Sequence, residues 1–275
     1  MTQKTVQPKT VQHQPVQGAQ VVGRIADLLR IIARAPEAGA ALPEIVAASG
    51  LTRPTVYRLL ASLAAEGLLD HDGATNTWHL GPELYVMGAV AANRYAIEDI
   101  ARPSLRRLAE ETGESAFLSI RRGDETVCLM RVEGSFPVRS FVLHEGVRFP
   151  LGVASAGLAI LAFLPDAEVD RILNDDGART SRFGPGHGPA AIRANLRAIR
   201  EVGYAVNPGL ILEGSWGMGA AVFDRKGEPA WALSLTGIES RFRPERQEQL
   251  GRLLLEEAHR ITRELRDGPG RRRTP

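Results

Sequence analysis

The stretch Glu44-Ile-Val-Ala-Ala-Ser-Gly-Leu-Thr-Arg-Pro-Thr-Val-Tyr-Arg-Leu-Leu-Ala-Ser-Leu63 decides the fold of the N-terminal part of the chain. Its first half suits a short helix that ends at Ser49-Gly50, because glycine takes the left-handed turn conformation at no steric cost. Thr52 can cap a second helix, and Pro54 is tolerated in the first turn of that helix. Apolar residues then recur at helical spacing, so that one face packs inward. The pattern predicts a helix-turn-helix.

The outward face of the second helix carries the chemistry for binding double-stranded DNA. Arginine can bond guanine through two hydrogen bonds, and the hydroxyl groups of Thr and Tyr can bond phosphate. The free amides of a helix N-terminus also attract phosphate. A helical hairpin used for protein contacts is the alternative. The candidate DNA-binding residues are Thr52, Arg53, Pro54, Thr55, Tyr57 and Arg58.

The flanking segments complete a winged helix-turn-helix domain over residues 19–81. Apolar residues from Val21 to Ile32 recur at helical spacing and predict a preceding helix. Gly67–Leu80 reads as two short strands around a polar turn, which predicts the wing and favours DNA binding over protein contacts. After the break at Gly81-Pro82, an alanine-rich segment with few charges predicts a linker helix over residues 82–96 that also helps the chain to dimerise.

The remainder of the chain predicts a larger α+β domain over residues 97–266, built on an antiparallel sheet with helices segregated beside it. Residues 1–18 and 267–275 predict a disordered arm and a disordered tail. Strands are expected at Ser115–Arg121, Glu125–Val132, Val138–Leu143, Met218–Phe223 and Trp231–Thr236. Helices are expected at Ile97–Glu111, Ala154–Leu164, Asp166–Leu173, Pro189–Val202 and Pro244–Leu265.

Composition restricts the possible functions. The 275 residues carry 34 basic and 32 acidic side chains, a net charge of +2, so a DNA-binding surface must be local. Cys128 is the one cysteine, and no Cys/His cluster has metal-ligand spacing, which fits a reducing cytoplasm without a bound metal or disulfide. No apolar stretch is long enough to span a bilayer, and no secretory signal follows the N-terminal lysines.

An enzyme is the first alternative, and the sequence offers little for it. Glu213-Gly-Ser-Trp-Gly217 is not a nucleophile elbow, because Glu213 stands where that motif has its first glycine. Gly217–Val222 lacks the third glycine of a dinucleotide-binding loop. His187, within Gly184-Pro-Gly-His-Gly-Pro189, has no second histidine or acid at ligand spacing. We therefore expect a protein without enzymatic activity and without a cofactor.

The chain resembles the IclR family of transcriptional regulators from about Gln20 to Arg266. Each matching segment is weak alone, but their order and spacing together are specific. Besides the helix-turn-helix, these segments are Glu66–Leu69, Phe149–Leu151 with Ala154–Ala159, Gly203–Val206, Ala220–Asp224 and Ala232–Gly237.

This resemblance implies a GAF-like effector domain, a homodimer or dimer of dimers, and a small organic acid as effector. The family's effector positions fall on Phe141, Ser155, Ala156, Asn207, Gly217, Ser234 and Thr236. Amides at a helix start attract a carboxylate, and Ser234 and Thr236 share one face of a strand. Alternatively, Ser155 only caps a helix, and the two hydroxyl groups satisfy buried backbone.

Departures from the family pattern favour a larger effector. Gly217 replaces a common cysteine, Gly152 a common histidine and Leu158 a common lysine, while Pro208–Leu210 replaces an acidic stretch. Loss of the side chain at Gly217 should enlarge the pocket, so an aromatic acid is favoured over a two-carbon acid. The expected function is a ligand-responsive transcriptional regulator that binds a near-palindromic operator. The alternative is a DNA-binding scaffold whose C-terminal domain only oligomerises.

Overall fold

A computed structural model describes residues 20–92, 97–138, 142–181 and 183–267. These residues form two compact units, an N-terminal unit over residues 20–92 and a C-terminal unit over residues 97–267. The predicted arm lies outside the described residues, and so do residues 93–96 of the predicted linker helix. Asp267, which the sequence placed in the tail, is instead the last residue of a helix, and the rest of that tail is not described.

The N-terminal unit contains four helices and a three-stranded antiparallel sheet of order β1-β3-β2 within the described residues. Its elements are α1 Gln20–Ala33, β1 Ala40–Ala41, α2 Leu42–Ser49, α3 Arg53–Ala65, β2 Leu69–Asp72, β3 Thr77–Leu80 and α4 Pro82–Ala92.

The helix-turn-helix turns at Gly50, which has a φ of 67° and whose N–H donates to Val46 O at 3.2 Å. Apolar residues from α1, α2 and α3 form the core below this turn, and Leu28 and Leu60 are fully buried there. Thr52 precedes α3 as predicted, but its side chain does not cap the helix. Its hydroxyl group instead lies 2.9 Å from that of Thr55.

The wing is the hairpin of β2 and β3, in which Asp72 pairs with Thr77. The Asp72 carboxylate organises the turn because it accepts hydrogen bonds from Ala74 N–H and the Thr75 hydroxyl, both at 2.8 Å. Asn76 takes the left-handed conformation at a φ of 55°. The predicted wing is therefore present, and its tip is acidic.

The C-terminal unit combines five helices with a six-stranded antiparallel sheet of order β6-β5-β4-β9-β8-β7 within the described residues. Its elements are α5 Ile97–Thr112, β4 Ser115–Arg122, β5 Glu125–Val132, β6 Arg148–Pro150, α6 Ser155–Ala162, α7 Asp166–Ser181, α8 Pro189–Val202, β7 Tyr204–Pro208, β8 Ser215–Phe223, β9 Pro229–Ile238 and α9 Pro244–Asp267.

Helices cover both faces of this sheet. Helices α5 and α9 pack against each other and against β4 and β8, while α6 packs against β8 and β9 from the other side. The eight residues of α6 are all buried, and α8 covers the outside of that helix. The central strands are therefore enclosed between two layers, and the start of α6 faces the sheet interior.

The strands of the C-terminal unit differ from the sequence analysis in two ways. The predicted strand Val138–Leu143 is wrong at its described ends, since Val138, Val142 and Leu143 are in bends or coil; residues 139–141 are not described. The structure instead has β6 and β7, which the sequence analysis did not assign. Both lie at sheet edges, where one-sided pairing leaves short strands with little apolar alternation.

Candidate functional site: a recognition helix and a cavity beside helix α6

Helix α3 presents the predicted DNA-binding residues on its outer face. Arg53, Pro54, Tyr57 and Arg58 are exposed, as is Thr52, whereas Thr55 is partly buried. Among the described residues, neither arginine has a carboxylate within ion-pair distance; Arg58 Nε makes only a 3.4 Å contact with Pro54 O in its own helix. Both guanidinium groups are therefore available for an anionic partner.

A cavity of about 490 Å3, counting the space at its mouth, lies between the sheet and the start of α6. Its described lining comprises Ser119, Thr126, Cys128, Val142, Leu143, Val147, Phe149, Ala154, Ser155, Ala156, Asn207, Ile211, Ser215, Trp216, Gly217, Ser234 and Thr236. None of these side chains is charged.

Six of the seven effector residues predicted from the sequence meet at this cavity, although they come from four separate segments. They are Ser155, Ala156, Asn207, Gly217, Ser234 and Thr236. The seventh, Phe141, lies outside the described residues. The fold thus brings the predicted residues together, and their role in binding stays a prediction.

Strand β9 contributes two hydroxyl groups that have no hydrogen-bond partner. Ser234 is fully buried, and both Ser234 Oγ and Thr236 Oγ1 are enclosed and unpaired. An unsatisfied buried hydroxyl group costs about 1–3 kcal/mol. The alternative that these groups satisfy buried backbone is therefore not what the structure has, and a bound polar group would remove the cost.

The start of α6 offers unpaired amides at the same cavity. The first hydrogen bond of this helix runs from Leu158 N–H to Ala154 O at 2.9 Å, so the N–H groups of Ser155 and Ala156 have no acceptor within the helix. The N-cap residue of this helix is Ala154 and not Ser155, so Ser155 is not the helix cap that the alternative interpretation required. The helix dipole and these amides together favour an anion there.

Glycines on β8 allow α6 to approach the sheet closely. A β-carbon on Gly219 would lie 2.9 Å from Ser155 O, and one on Gly217 would lie 3.1 Å from Ser155 Oγ. The sequence analysis predicted that Gly217 enlarges the pocket. The structure adds a second role, because the missing side chain at Gly217 also makes room for the side chain of Ser155.

Asn207 holds the floor of the cavity by two hydrogen bonds to backbone. Its Nδ2 donates to Val153 O at 2.7 Å, and its Oδ1 accepts from Leu210 N–H at 3.1 Å. The side chain is 3% exposed. It therefore fixes the loops on either side of the cavity and keeps one N–H donor and one acceptor lone pair that these bonds do not use.

Sequence reasoning missed the contribution of β4 and β5, which add the polar residues Ser119, Thr126 and Cys128. Burial raises the pKa of the Cys128 thiol to about 12, with a smaller contribution from Glu145. This cysteine is therefore a neutral lining group at pH 7. Strand alternation in β4 and β5 was the available signal.

The described residues contain no group of three or more histidine, cysteine or acidic side chains that could hold a metal ion. Within the same residues, no helix is both long enough and apolar enough to cross a membrane.

Comparisons with known proteins agree with this architecture. Residues 21–73 match the family described as IclR helix-turn-helix domain, and residues 89–263 match Bacterial transcriptional regulator IclR C-terminal. The chain is 33% identical over 247 residues to the HTH-type transcriptional regulator BhcR of Paracoccus denitrificans, an alignment that covers 89% of this chain and 87% of the relative.

Solved structures show the same fold. An IclR transcriptional regulator from Alicyclobacillus acidocaldarius superimposes with a TM-score of 0.74 at 26% identity, covering 89% of this chain and 98% of that one. An IclR homologue from Microbacterium hydrocarbonoxydans, crystallised with 4-hydroxybenzoate, gives 0.73 at 22% identity, covering 89% and 98%. The chain belongs to the IclR family of bacterial transcriptional regulators, with a helix-turn-helix DNA-binding domain and an IclR effector domain.

Proposed function

We propose that this regulator binds a near-palindromic operator through α3 and senses a small aromatic acid in the cavity beside α6. The observation that carries the sensing role is the pair of buried, unpartnered hydroxyl groups of Ser234 and Thr236 in a cavity lined by α6 amides. In this role it is not an enzyme, and it acts on DNA in the bacterial cytoplasm.

The distribution of polar and apolar groups that line the cavity supports a ligand with one anionic group attached to an apolar ring. The amides of Ser155 and Ala156 and the two hydroxyl groups provide donors for a carboxylate. Phe149, Val147 and Trp216 provide apolar surface for a ring. The absence of charged side chains from the described lining fits a monoacid whose charge is stabilised by amides and a helix dipole. The cavity also favours a sensor over a ligand-free scaffold.

Helix α4 supports assembly of a homodimer, with a dimer of dimers as a further possibility. Its exposed apolar side chains are each more than half accessible: Tyr85 81%, Val86 52%, Met87 56% and Val90 68%. Such a patch on a regulator marks a protein contact. Two copies of α3 in a symmetric dimer would enter major grooves about one helical turn apart, which requires a near-palindromic site.

Effector binding is tested with a panel of benzoate, 4-hydroxybenzoate, phenylacetate and glyoxylate. 4-Hydroxybenzoate is included because the IclR homologue from Microbacterium hydrocarbonoxydans was crystallised with it. Isothermal titration gives the affinities, and Trp216, which lines the cavity, gives a fluorescence change that Trp216→Phe removes. We expect the aromatic acids to bind and glyoxylate not to bind. Binding of glyoxylate alone, or of none of the four, would overturn the aromatic-acid proposal.

DNA binding is tested by selecting sites from randomised duplexes with the full chain and measuring affinity by fluorescence anisotropy. An enriched inverted repeat is the expected outcome. Adding the acid that binds most tightly should then change the affinity for that repeat, because an effector acts only through its different affinities for two states. Enrichment of a single asymmetric site would contradict the dimeric mode.

A further inference from the structure

His187 lies in the core of the C-terminal unit, between two backbone carbonyl groups. It ends the short 3-10 helix Pro185–His187 and is 1% exposed. Its Nδ1 lies 3.2 Å from Phe183 O, and its Nε2 lies 3.2 Å from Val153 O. Because a neutral imidazole has one N–H, it can donate to only one of these oxygens at a time.

The Val153 carbonyl is the point at which this histidine meets the cavity. It also accepts the 2.7 Å hydrogen bond from Asn207 Nδ2, so two side chains from different elements hold one oxygen. Val153 immediately precedes Ala154, which begins α6 as its N-cap residue. Any rotation of the Val153 peptide would therefore redirect the first amides of α6.

A second contact ties His187 to the apolar wall. The Phe183 ring packs edge-on against the His187 ring at 6.0 Å and against the Phe149 ring, also at 6.0 Å. Phe149 lines the cavity. One imidazole thus supports both the polar end and one apolar side of the same pocket.

We propose that His187 is a positioning residue of the effector site, which sets the direction of the Ser155 and Ala156 amides by holding Val153 O from Nε2. This inference rests on the proposed effector function. It predicts that a donor at the Nε2 position is required, whereas a donor at the Nδ1 position is not.

Two nearly isosteric variants separate these positions. The side-chain nitrogen of glutamine stands about where histidine has Nε2, and that of asparagine about where it has Nδ1. His187→Gln can therefore still donate toward Val153 O, whereas His187→Asn can donate only toward Phe183 O. His259→Gln, at an exposed position of α9, is the control for histidine replacement.

Amide hydrogen exchange of the full chain, read on peptides spanning residues 151–161, tests positioning without any ligand. We expect at least tenfold faster exchange there in His187→Asn and a change below threefold in His187→Gln and His259→Gln. Titration with benzoate should follow the same order, with about tenfold weaker binding in His187→Asn only. Circular dichroism identifies variants that fail to fold, and melting temperatures compare the folded ones.

Equal exchange and equal benzoate affinity in both His187 variants would overturn the proposal, as would a parallel loss in both. If the wild-type chain does not bind benzoate, 4-hydroxybenzoate or phenylacetate, the proposed aromatic effector fails. The exchange comparison then decides alone whether His187 positions the start of α6, so the two failures are distinguishable.

Discussion

Ser155 Oγ lies 3.1 Å from the point that a β-carbon on Gly217 would occupy. This distance is shorter than ordinary van der Waals contact, but the group that must move is a side-chain hydroxyl on a rotatable bond. A methyl group at Gly217 would therefore be accommodated by a new Ser155 rotamer and would take space from the cavity.

We expect Gly217→Ala to weaken benzoate binding about five- to tenfold, because a displaced hydrogen-bonding group is worth about 1 kcal/mol. Its free energy of unfolding should fall by less than about 1 kcal/mol. Titration calorimetry and urea unfolding measure the two effects.

Gly219→Ala is the matched control, since the β-carbon there would lie 2.9 Å from Ser155 O, a backbone atom that cannot rotate away. Overpacking of this kind costs about 1–3 kcal/mol. Equal destabilisation by both glycine substitutions would contradict the assignment of Gly217 to the cavity.

Arg53 is the residue for testing DNA recognition. Arg53→Ala should weaken operator binding by about 1–3 kcal/mol if the guanidinium group reads a base, and should reduce discrimination at one base pair. If it binds phosphate instead, affinity should fall uniformly and the salt dependence should weaken by about one charge.

Arg252→Ala is the control for charge removal, since this arginine is 69% exposed on α9 in the other unit. Anisotropy titrations of the selected operator and of scrambled DNA, each at several salt concentrations, separate the two modes. Unchanged affinity for both DNAs in Arg53→Ala would refute any role of Arg53.

The helix-turn-helix was predictable because its signals are local. The left-handed Gly50, the proline at the start of α3 and the inward stripe lie within 20 consecutive residues, and each element is decided by its own sequence. The β8–β9 hairpin was similarly readable, since Asp224 and Gly227 form its turn through short-range hydrogen bonds.

The cavity was only partly predictable, because its walls depend on pairing between distant strands. In β4 and β5 the register shifts near Ser119, so that Leu118 pairs with Met130 whereas Ser119 pairs with Cys128. This bulge sets the pairing of Ser119 with Cys128, and the alternation within each strand does not specify that register. The role proposed for His187 was equally hidden, since its partner Val153 O lies 34 residues away along the chain.

Glu257 and Arg107 clamp α9 to α5, and breaking this pair should destabilise the C-terminal unit. Arg107 donates from Nε at 3.0 Å and from its terminal nitrogen at 2.7 Å to the two oxygens of Glu257, which is 7% exposed. We expect Glu257→Gln to lower the free energy of unfolding by about 1.5–3 kcal/mol, the range for hydrogen bonds to charged groups. Glu256→Gln, from an exposed pair 4.0 Å apart, should cost less than about 1 kcal/mol.

The same pair gives a pH dependence that urea unfolding between pH 3 and 7 can measure. Burial alone would raise the pKa of Glu257, but the hydrogen bonds from Arg107 and Ser104 outweigh it and hold the pKa below its usual value of 4.5. A carboxyl group whose pKa is lower in the folded chain than in the unfolded chain stabilises the fold at pH values above its unfolded-state pKa. This contribution is lost as pH falls through the folded-state pKa. Wild type should therefore lose more stability than Glu257→Gln below about pH 4.5; parallel curves would contradict this.

The protonation of His187 should change the free energy of unfolding in a different pH range from that of Glu257. The charged form of His187 is a cation, whereas the charged form of Glu257 is an anion. Burial lowers its pKa below 6.5, although hydrogen bonding to Val153 and Phe183 opposes the shift. The unfolded chain therefore binds a proton at a higher pH than the folded chain does, and stability must fall as pH drops from 6.5 toward the folded pKa. Well above pH 7 the imidazole is neutral in both the folded and the unfolded chain, so it no longer makes the free energy of unfolding depend on pH.

His187→Gln removes this titration while keeping a donor toward Val153 O. Between pH 7 and pH 5, unfolding free energies of wild type should therefore fall more steeply than those of His187→Gln, and His259→Gln should follow wild type. NMR titration of the imidazole resonances provides the direct check, since the His187 signal should titrate below 6.5. A signal that titrates above 6.5 would mean that the imidazolium donates to both carbonyl oxygens at once, and the slope between pH 5 and pH 7 would then reverse.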